Sequence, residues 1–230
     1  MSRVVVLCGS LGSTSAMWEP QLPALRGFDV VRIDHPGHGG APVVEFDDIA
    51  DLARGALAHV AAERFAFVGL SLGGAVGMRL ALDAPERVES LALLCTSARF
   101  GDPEPWLERA GIVRADGLEA IVDTVLGRWF TPSFPDVPRW REMFLSTDGE
   151  GYARCCEAIA RWDARDELAR IAAPTLCIAA DDDPSTPPDQ LELIAERIPG
   201  ARLETIASGR HLVNVEHADE INRLLAEHLG

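Results

Sequence analysis

A serine set between glycines, Gly69-Leu70-Ser71-Leu72-Gly73, follows the apolar run Phe65-Ala66-Phe67-Val68 and precedes a helix-forming stretch from Ala75 to Leu82. Glycines two before and two after the serine let a strand turn sharply into a helix without a Cβ clash. The turn leaves the hydroxyl standing out at the sheet edge and aims the next N–H at a reacting carbonyl. The chemistry such a corner supports is acyl transfer, in which the hydroxyl attacks a carbonyl carbon once a base takes its proton. Five letters alone recur by chance; the strand before and the helix after give them weight.

A serine nucleophile needs a base, and the base needs a group that orients it. At an elbow of this kind the partners follow in the chain order serine, acid, histidine. Of the histidines after Ser71, His217 and His228 belong to the C-terminal helix and read as solvated surface groups. His211 lies in Ser208-Gly209-Arg210-His211-Leu212, directly after the last strand, where a loop can carry an imidazole to the elbow. His211 is therefore the expected base. His35, His38 and His59 precede the serine, and His38, in Gly37-His38-Gly39-Gly40, reads as a loop brace.

The acid is expected where the strand Thr175 to Ala180 runs into Asp181-Asp182-Asp183-Pro184-Ser185-Thr186-Pro187. Three successive aspartates leave the individual choice open. Asp183 is preferred because the Pro-Ser-Thr-Pro turn fixes its backbone and opens a helix; Asp181 and Asp182 read as solvated loop charge. The alternative position, after the strand Val88 to Cys95, offers only Thr96 and Ser97. An oxyanion needs two N–H donors, expected from Leu72 and from the loop Gly9-Ser10-Leu11-Gly12, with Leu11 the donor.

These residues require elements that deliver them to one place. Strands are expected at Val4 to Cys8, Phe28 to Ile33, Phe65 to Leu70, Val88 to Cys95, Thr175 to Ala180 and Arg202 to Ile206. The continuous apolar run Val88 to Cys95 suits a parallel strand buried on both faces. Helices are expected at Asp47 to Glu63, with Asp47 or Asp48 as N-cap, at Ser71 to Asp83 closed by Pro85, at Pro187 to Arg197 and at Ala218 to Leu229. From Ala98 to about Ala164 the strand pattern stops and tryptophans, prolines and helical periods take over. The expected organisation is a core of residues 1–97 and 165–230 with a helical cap, residues 98–164, over the strand C-termini, where open α/β sheets bind ligands.

Composition narrows the rest. A chain of 230 residues suits one α/β domain. A formal charge of −15 argues against nucleic acid or an anionic membrane as partner. No apolar run approaches the roughly 18 residues of a membrane span, and Val4 to Cys8 is too short for a signal-peptide core, so a cytoplasmic protein is expected. All 21 basic residues are arginine; without lysine, Schiff-base chemistry and the Walker lysine are excluded. The loop after the first strand lacks the G-x-G-x-x-G spacing, and no HExxH or clustered His/Cys/Asp set suggests a metal, so no cofactor is expected. The five cysteines show no C-x-x-C spacing and suit small core residues.

With that constellation assembled, the chain resembles the α/β-hydrolase superfamily over essentially its whole length. Within it the chain looks most like the 3-oxoadipate enol-lactonases. The residues carrying the likeness are Ser10-Leu11-Gly12, Met17-Trp18-Glu19-Pro20-Gln21-Leu22, Arg128-Trp129-Phe130-Thr131-Pro132, Ser146-Thr147-Asp148 with Gly151-Tyr152-Ala153, and His211-Leu212-Val213-Asn214-Val215-Glu216. The acid loop Asp183 to Pro188 belongs with them. Two departures stand out: the family usually begins with a further strand pair before the strand that here starts at Val4, and the loop Asp34 to Ala41 carries Pro36 and Ala41 as in other esterase branches.

The resemblance implies an α/β-hydrolase fold, a mostly parallel sheet flanked by helices with a helical cap after the sixth-type strand; the shortened N-terminus departs from it. It implies Ser71, Asp183 and His211 as triad, and a small lactone or ester carrying a carboxylate as substrate. Such a substrate calls for a local cation. Arg128, beside Trp129, is the candidate, because a guanidinium pairs a carboxylate bidentately; the alternative is a helix-surface arginine with Trp129 as cap core. The rival functions are a carboxylesterase or C–C bond hydrolase with the same triad, and a catalytically silent ligand-binding module.

Overall fold

Four strongly apolar runs form the centre of a six-stranded sheet in the computed structural model, which describes residues 3–230. The strands are β1 (Arg3–Cys8), β2 (Phe28–Ile33), β3 (Phe65–Leu70), β4 (Val88–Leu94), β5 (Thr175–Ala180) and β6 (Arg202–Ile206). They lie in the order β2-β1-β3-β4-β5-β6, and all of their pairings are parallel. Position in the sheet explains composition: β3 and β5 are buried along their whole length, whereas the edge strands β2 and β6 keep much of theirs in contact with solvent.

Helices flank the sheet. α1 (Ile49–Ala58) packs on α2 (Leu72–Asp83), and α2 packs on β1, β3 and β4. Between β4 and β5 the chain forms α3 (Pro103–Asp116), α4 (Val122–Trp129), α5 (Val137–Leu145) and α6 (Gly149–Ala160). After β5 come α7 (Pro188–Arg197), the single turn α8 (Val213–Glu216) and α9 (Ala218–Leu229). Among the described residues no helix is long and apolar enough to cross a membrane.

α1 is shorter than its periodicity predicts. Asp48 caps its start by accepting from the Asp51 N–H (2.9 Å), but the helix stops at Ala58 rather than near Glu63. The reason lies in another element. The Arg87 guanidinium gathers the carbonyls of Val60 (3.3 Å), Ala62 (2.7 Å) and Glu63 (2.5 Å), which holds the segment as a turn into β3.

The cap is tied to the core at both of its crossings and at its far side. The Ala164 N–H donates to Ala98 O (2.8 Å) and Trp162 Nε1 to Ser97 O (2.9 Å), closing the base of the insert. Beyond it, the Asp148 N–H donates to Gly37 O (2.8 Å), and Asp148 caps α6 by accepting from the Glu150 and Gly151 N–H groups. Inside, aromatic rings make the cap's own core: Trp129 meets Phe144 edge-on at 5.8 Å, and Phe144 meets Tyr152 at 5.5 Å.

Candidate active site

Ser71 sits at the β3–α2 corner with φ 57° and ψ −115°, a left-handed backbone for a non-glycine residue. A conformation of that kind costs about 1–3 kcal/mol and persists only where its surroundings over-determine it. They do so here. The Ser71 N–H donates to Leu94 O (3.0 Å), Thr96 Oγ1 donates to Ser71 O (2.6 Å), and the Gly73 N–H donates to Gly9 O (3.0 Å). The flanking glycines are steric requirements: a Cβ on Gly69 would overlap the Gly73 carbonyl, and one on Gly73 the Cys8 carbonyl. The Leu72 N–H, first in α2, has no acceptor within its own helix.

The facing loop, residues 9–13, is a tight turn in which the Ser13 N–H returns to Ser10 O (3.1 Å) and Gly12 takes φ 80°. Two buried histidines brace it. His38 Nε2 accepts from the Gly12 N–H (3.0 Å), so its proton sits on Nδ1, which donates to Pro36 O (3.0 Å). His35 Nε2 donates to Gly9 O (2.9 Å). Burial, then the neighbouring His35, pushes the His38 pKa down to about 3, and burial lowers that of His35 as well. Leu11 stands on this braced turn, at the wall of the same cavity as Ser71.

His211 follows β6 and is buried, and its Nδ1–H donates to Asp183 Oδ2 at 2.7 Å. Asp183 follows β5; its Oδ1 accepts from the Ser185 N–H (2.8 Å), and its Oδ2 also accepts from Thr186 Oγ1 (2.7 Å). Burial works to raise the Asp183 pKa. The His211 charge and these hydrogen bonds outweigh it and hold the carboxyl below the ordinary carboxylate range. Of the three successive aspartates, Asp183 is the one that meets His211; Asp181 and Asp182 are exposed. His217 and His228 stand elsewhere. His228 differs from its expected solvated role: it is half-buried and donates from Nε2 to Leu91 O (3.0 Å).

Ser71 and His211 line one small cavity under the cap, partly continuous with solvent. Arg128 and Trp129 reach it from α4. Trp129 is both pocket wall and cap core, being buried against Phe130 and Phe144 while lining the cavity. A second guanidinium, Arg109 of α3, faces the same space 4.7 Å over the Trp106 ring. Among the described residues neither Arg109 nor Arg128 has a carboxylate ion-pair partner, unlike surface arginines such as Arg114, which meets Glu150 and Glu157. Burial, then the cation of Arg109, lowers the pKa of Arg128. Two cations lining one pocket without a carboxylate partner favour an anionic ligand there.

Arg109 and Thr186 join the site without having been expected from sequence. Thr186 lies in the turn after Asp183, where a hydroxyl three residues after the acid is a readable signal. Arg109 lies in no motif; its only mark is its i+3 spacing from Trp106, which puts the two on one side of α3.

Fold and site together define the class: the chain belongs to the alpha/beta hydrolase family, whose model matches residues 4–224. It is thus a hydrolase of that superfamily. Among its relatives is 3-oxoadipate enol-lactonase 2 of Acinetobacter baylyi, 35% identical over 229 residues, which cover 95% of this chain and 85% of that protein. Among solved structures, the enol-lactonase of Burkholderia xenovorans LB400 superposes with a TM-score of 0.95 at 36% identity, over 100% of this chain and 92% of that one. A hydrolase of Pseudomonas aeruginosa PA01 gives the same TM-score at 40% identity, over 100% and 90%.

Proposed function

We propose that this chain is a serine hydrolase that opens a small lactone or ester bearing a carboxylate, with 3-oxoadipate enol-lactone as its substrate. The observation that carries the reading is the His211–Asp183 pair. With Nδ1–H given to Asp183 Oδ2 at 2.7 Å, the imidazole keeps its Nε2 lone pair for the cavity it shares with Ser71. In this mechanism Nε2 takes the Ser71 hydroxyl proton as Oγ attacks the lactone carbonyl. The Leu11 and Leu72 amides hold the oxyanion, and Asp183 keeps the ring oriented and stabilises the imidazolium. Collapse breaks the ring C–O bond; the enol oxygen takes the proton from Nε2 and the enol ketonises. Water, deprotonated by Nε2, then cleaves the acyl-serine ester and returns the Ser71 hydroxyl.

The substrate assignment is supported by the paired Arg109 and Arg128 guanidinium groups and by the enol-lactonases among the relatives. Trp129 forms the apolar wall against which the ring is held. All five cysteines are free and buried, which suits a reducing compartment and action in the cytoplasm. The test is a panel of lactones and esters on the purified protein. The reading expects kcat/KM for the enol-lactone to exceed that for p-nitrophenyl acetate by at least about 10²-fold, since remote binding contacts raise transition-state affinity. A protein that prefers neutral esters is a general carboxylesterase instead.

A further inference from the structure

The cap helix that bears Arg128 and Trp129 is fastened to the histidine loop along its C-terminal end. An α-helix leaves its last carbonyls without partners inside the helix, and α4 ends in Phe130, an extended residue and not a glycine cap. Three successive residues of the histidine loop take up those carbonyls. The Arg210 guanidinium donates to Gly127 O and to Phe130 O (3.3 Å), the His211 N–H to Arg128 O (3.4 Å), and the Leu212 N–H to Trp129 O (3.1 Å).

One carboxylate then bridges the two sides of that junction. Glu216, at the end of α8, accepts with Oε1 from the Thr131 N–H (3.1 Å) and from the Thr131 hydroxyl, just beyond α4. Its Oε2 accepts from the Arg210 N–H (3.4 Å), the residue before His211. The side chain of His211 is oriented by Asp183, but its backbone leaves an edge strand through Ser208, at φ 58°, and Gly209. The direction of that backbone is set largely by what holds residues 210–212.

We propose that Glu216 is a positioning residue for His211: by clamping the Arg210 N–H and Thr131 together, it locks the histidine loop onto α4 and fixes the imidazole relative to Ser71. The proposal rests on the reading of Ser71 as nucleophile and His211 as base. A misplacement of about 1 Å in a catalytic group costs on the order of 10²-fold in rate, so the clamp acts on kcat. Its atoms do not line the cavity, so KM is largely spared. Glutamine is a poor replacement: with its carbonyl kept for Thr131, its NH2 group faces the Arg210 N–H, donor against donor.

The test compares wild type, Glu216→Ala, Glu216→Gln and Thr131→Val on p-nitrophenyl acetate. Rates are expressed per active site titrated to completion with a fluorophosphonate, which removes any unfolded fraction from the comparison. The expected result for Glu216→Ala is a kcat per titrated site lower by about 10–100-fold, with KM within about threefold and the acidic limb of the kcat–pH profile displaced. Glu216→Gln and Thr131→Val show smaller losses in the same direction. If Glu216→Ala does not fold, the other two variants carry the test. A kcat per site within about twofold of wild type in both Glu216→Gln and Thr131→Val, even with a lower Tm, overturns the proposal and leaves Glu216 a purely structural tie. A wild-type protein that takes no label overturns the hydrolase reading along with it, and the two failures are told apart by that control.

Discussion

Ser71 and His211 are useful in this reading only as a pair, which fixes what their removal does. Ser71→Ala and His211→Ala each lower kcat by about 10⁴–10⁶, with circular dichroism and Tm close to wild type; a loss below tenfold in either variant contradicts the assignment. In the same reading Arg109 and Arg128 bind the substrate carboxylate. A charge-assisted hydrogen bond contributes about 1.5–3 kcal/mol, so Arg109→Met and Arg128→Met each raise KM for a carboxylate-bearing lactone by roughly 10–100-fold. The accompanying change on p-nitrophenyl acetate is at least tenfold smaller; equal losses on both substrates argue against anion recognition. At this scale the sequence was informative where chemistry is bound to backbone geometry. Ser71 announces itself through glycines that its corner requires, and Asp183 through the turn that fixes it. Arg109 gave no such sign, because it comes to line the same cavity as Arg128 only through the tertiary fold, and nothing local encodes that.

Among the elements, the turn at residues 9–13 depends on two neutral histidines, and that dependence has a sign. In the unfolded chain a histidine titrates near 6.5, whereas folded His38 stays neutral down to about 3 and His35 is lowered as well. Between those values the unfolded state binds more protons than the folded one, so stability is fully present above pH 6.5 and is lost as pH falls. Tm therefore drops between pH 7 and pH 5, and His38→Gln, which removes one such group, shows a shallower drop over the same range. Equal slopes for the two proteins contradict the brace. Asp183 adds its own loss further down, as pH falls below the ordinary carboxylate value, because its folded pKa is depressed. The central strands were legible as apolar runs, since a parallel strand buried on both faces has little room for anything else. The end of α1 was not: the Arg87 side chain that stops it comes from the residue just before β4.

Over the whole molecule, the site exists only where four separate stretches of chain converge. The sheet presents Ser71, the loops after β5 and β6 bring Asp183 and His211, and the cap supplies the two arginines and the carbonyls that hold the histidine loop. The sequence announced a helical insert in that place through its lost strand pattern. It did not announce how the insert docks: the contacts at Gly37 with Asp148 and at Arg210 with Gly127 join residues far apart in the chain. That dependence on assembly is read most directly by fluorophosphonate labelling of the native protein followed by peptide mass mapping. A single adduct is predicted on the peptide containing Ser71, absent after urea unfolding and strongly slowed in His211→Ala. No adduct at Ser71, or a labelling rate that His211→Ala leaves unchanged, contradicts it.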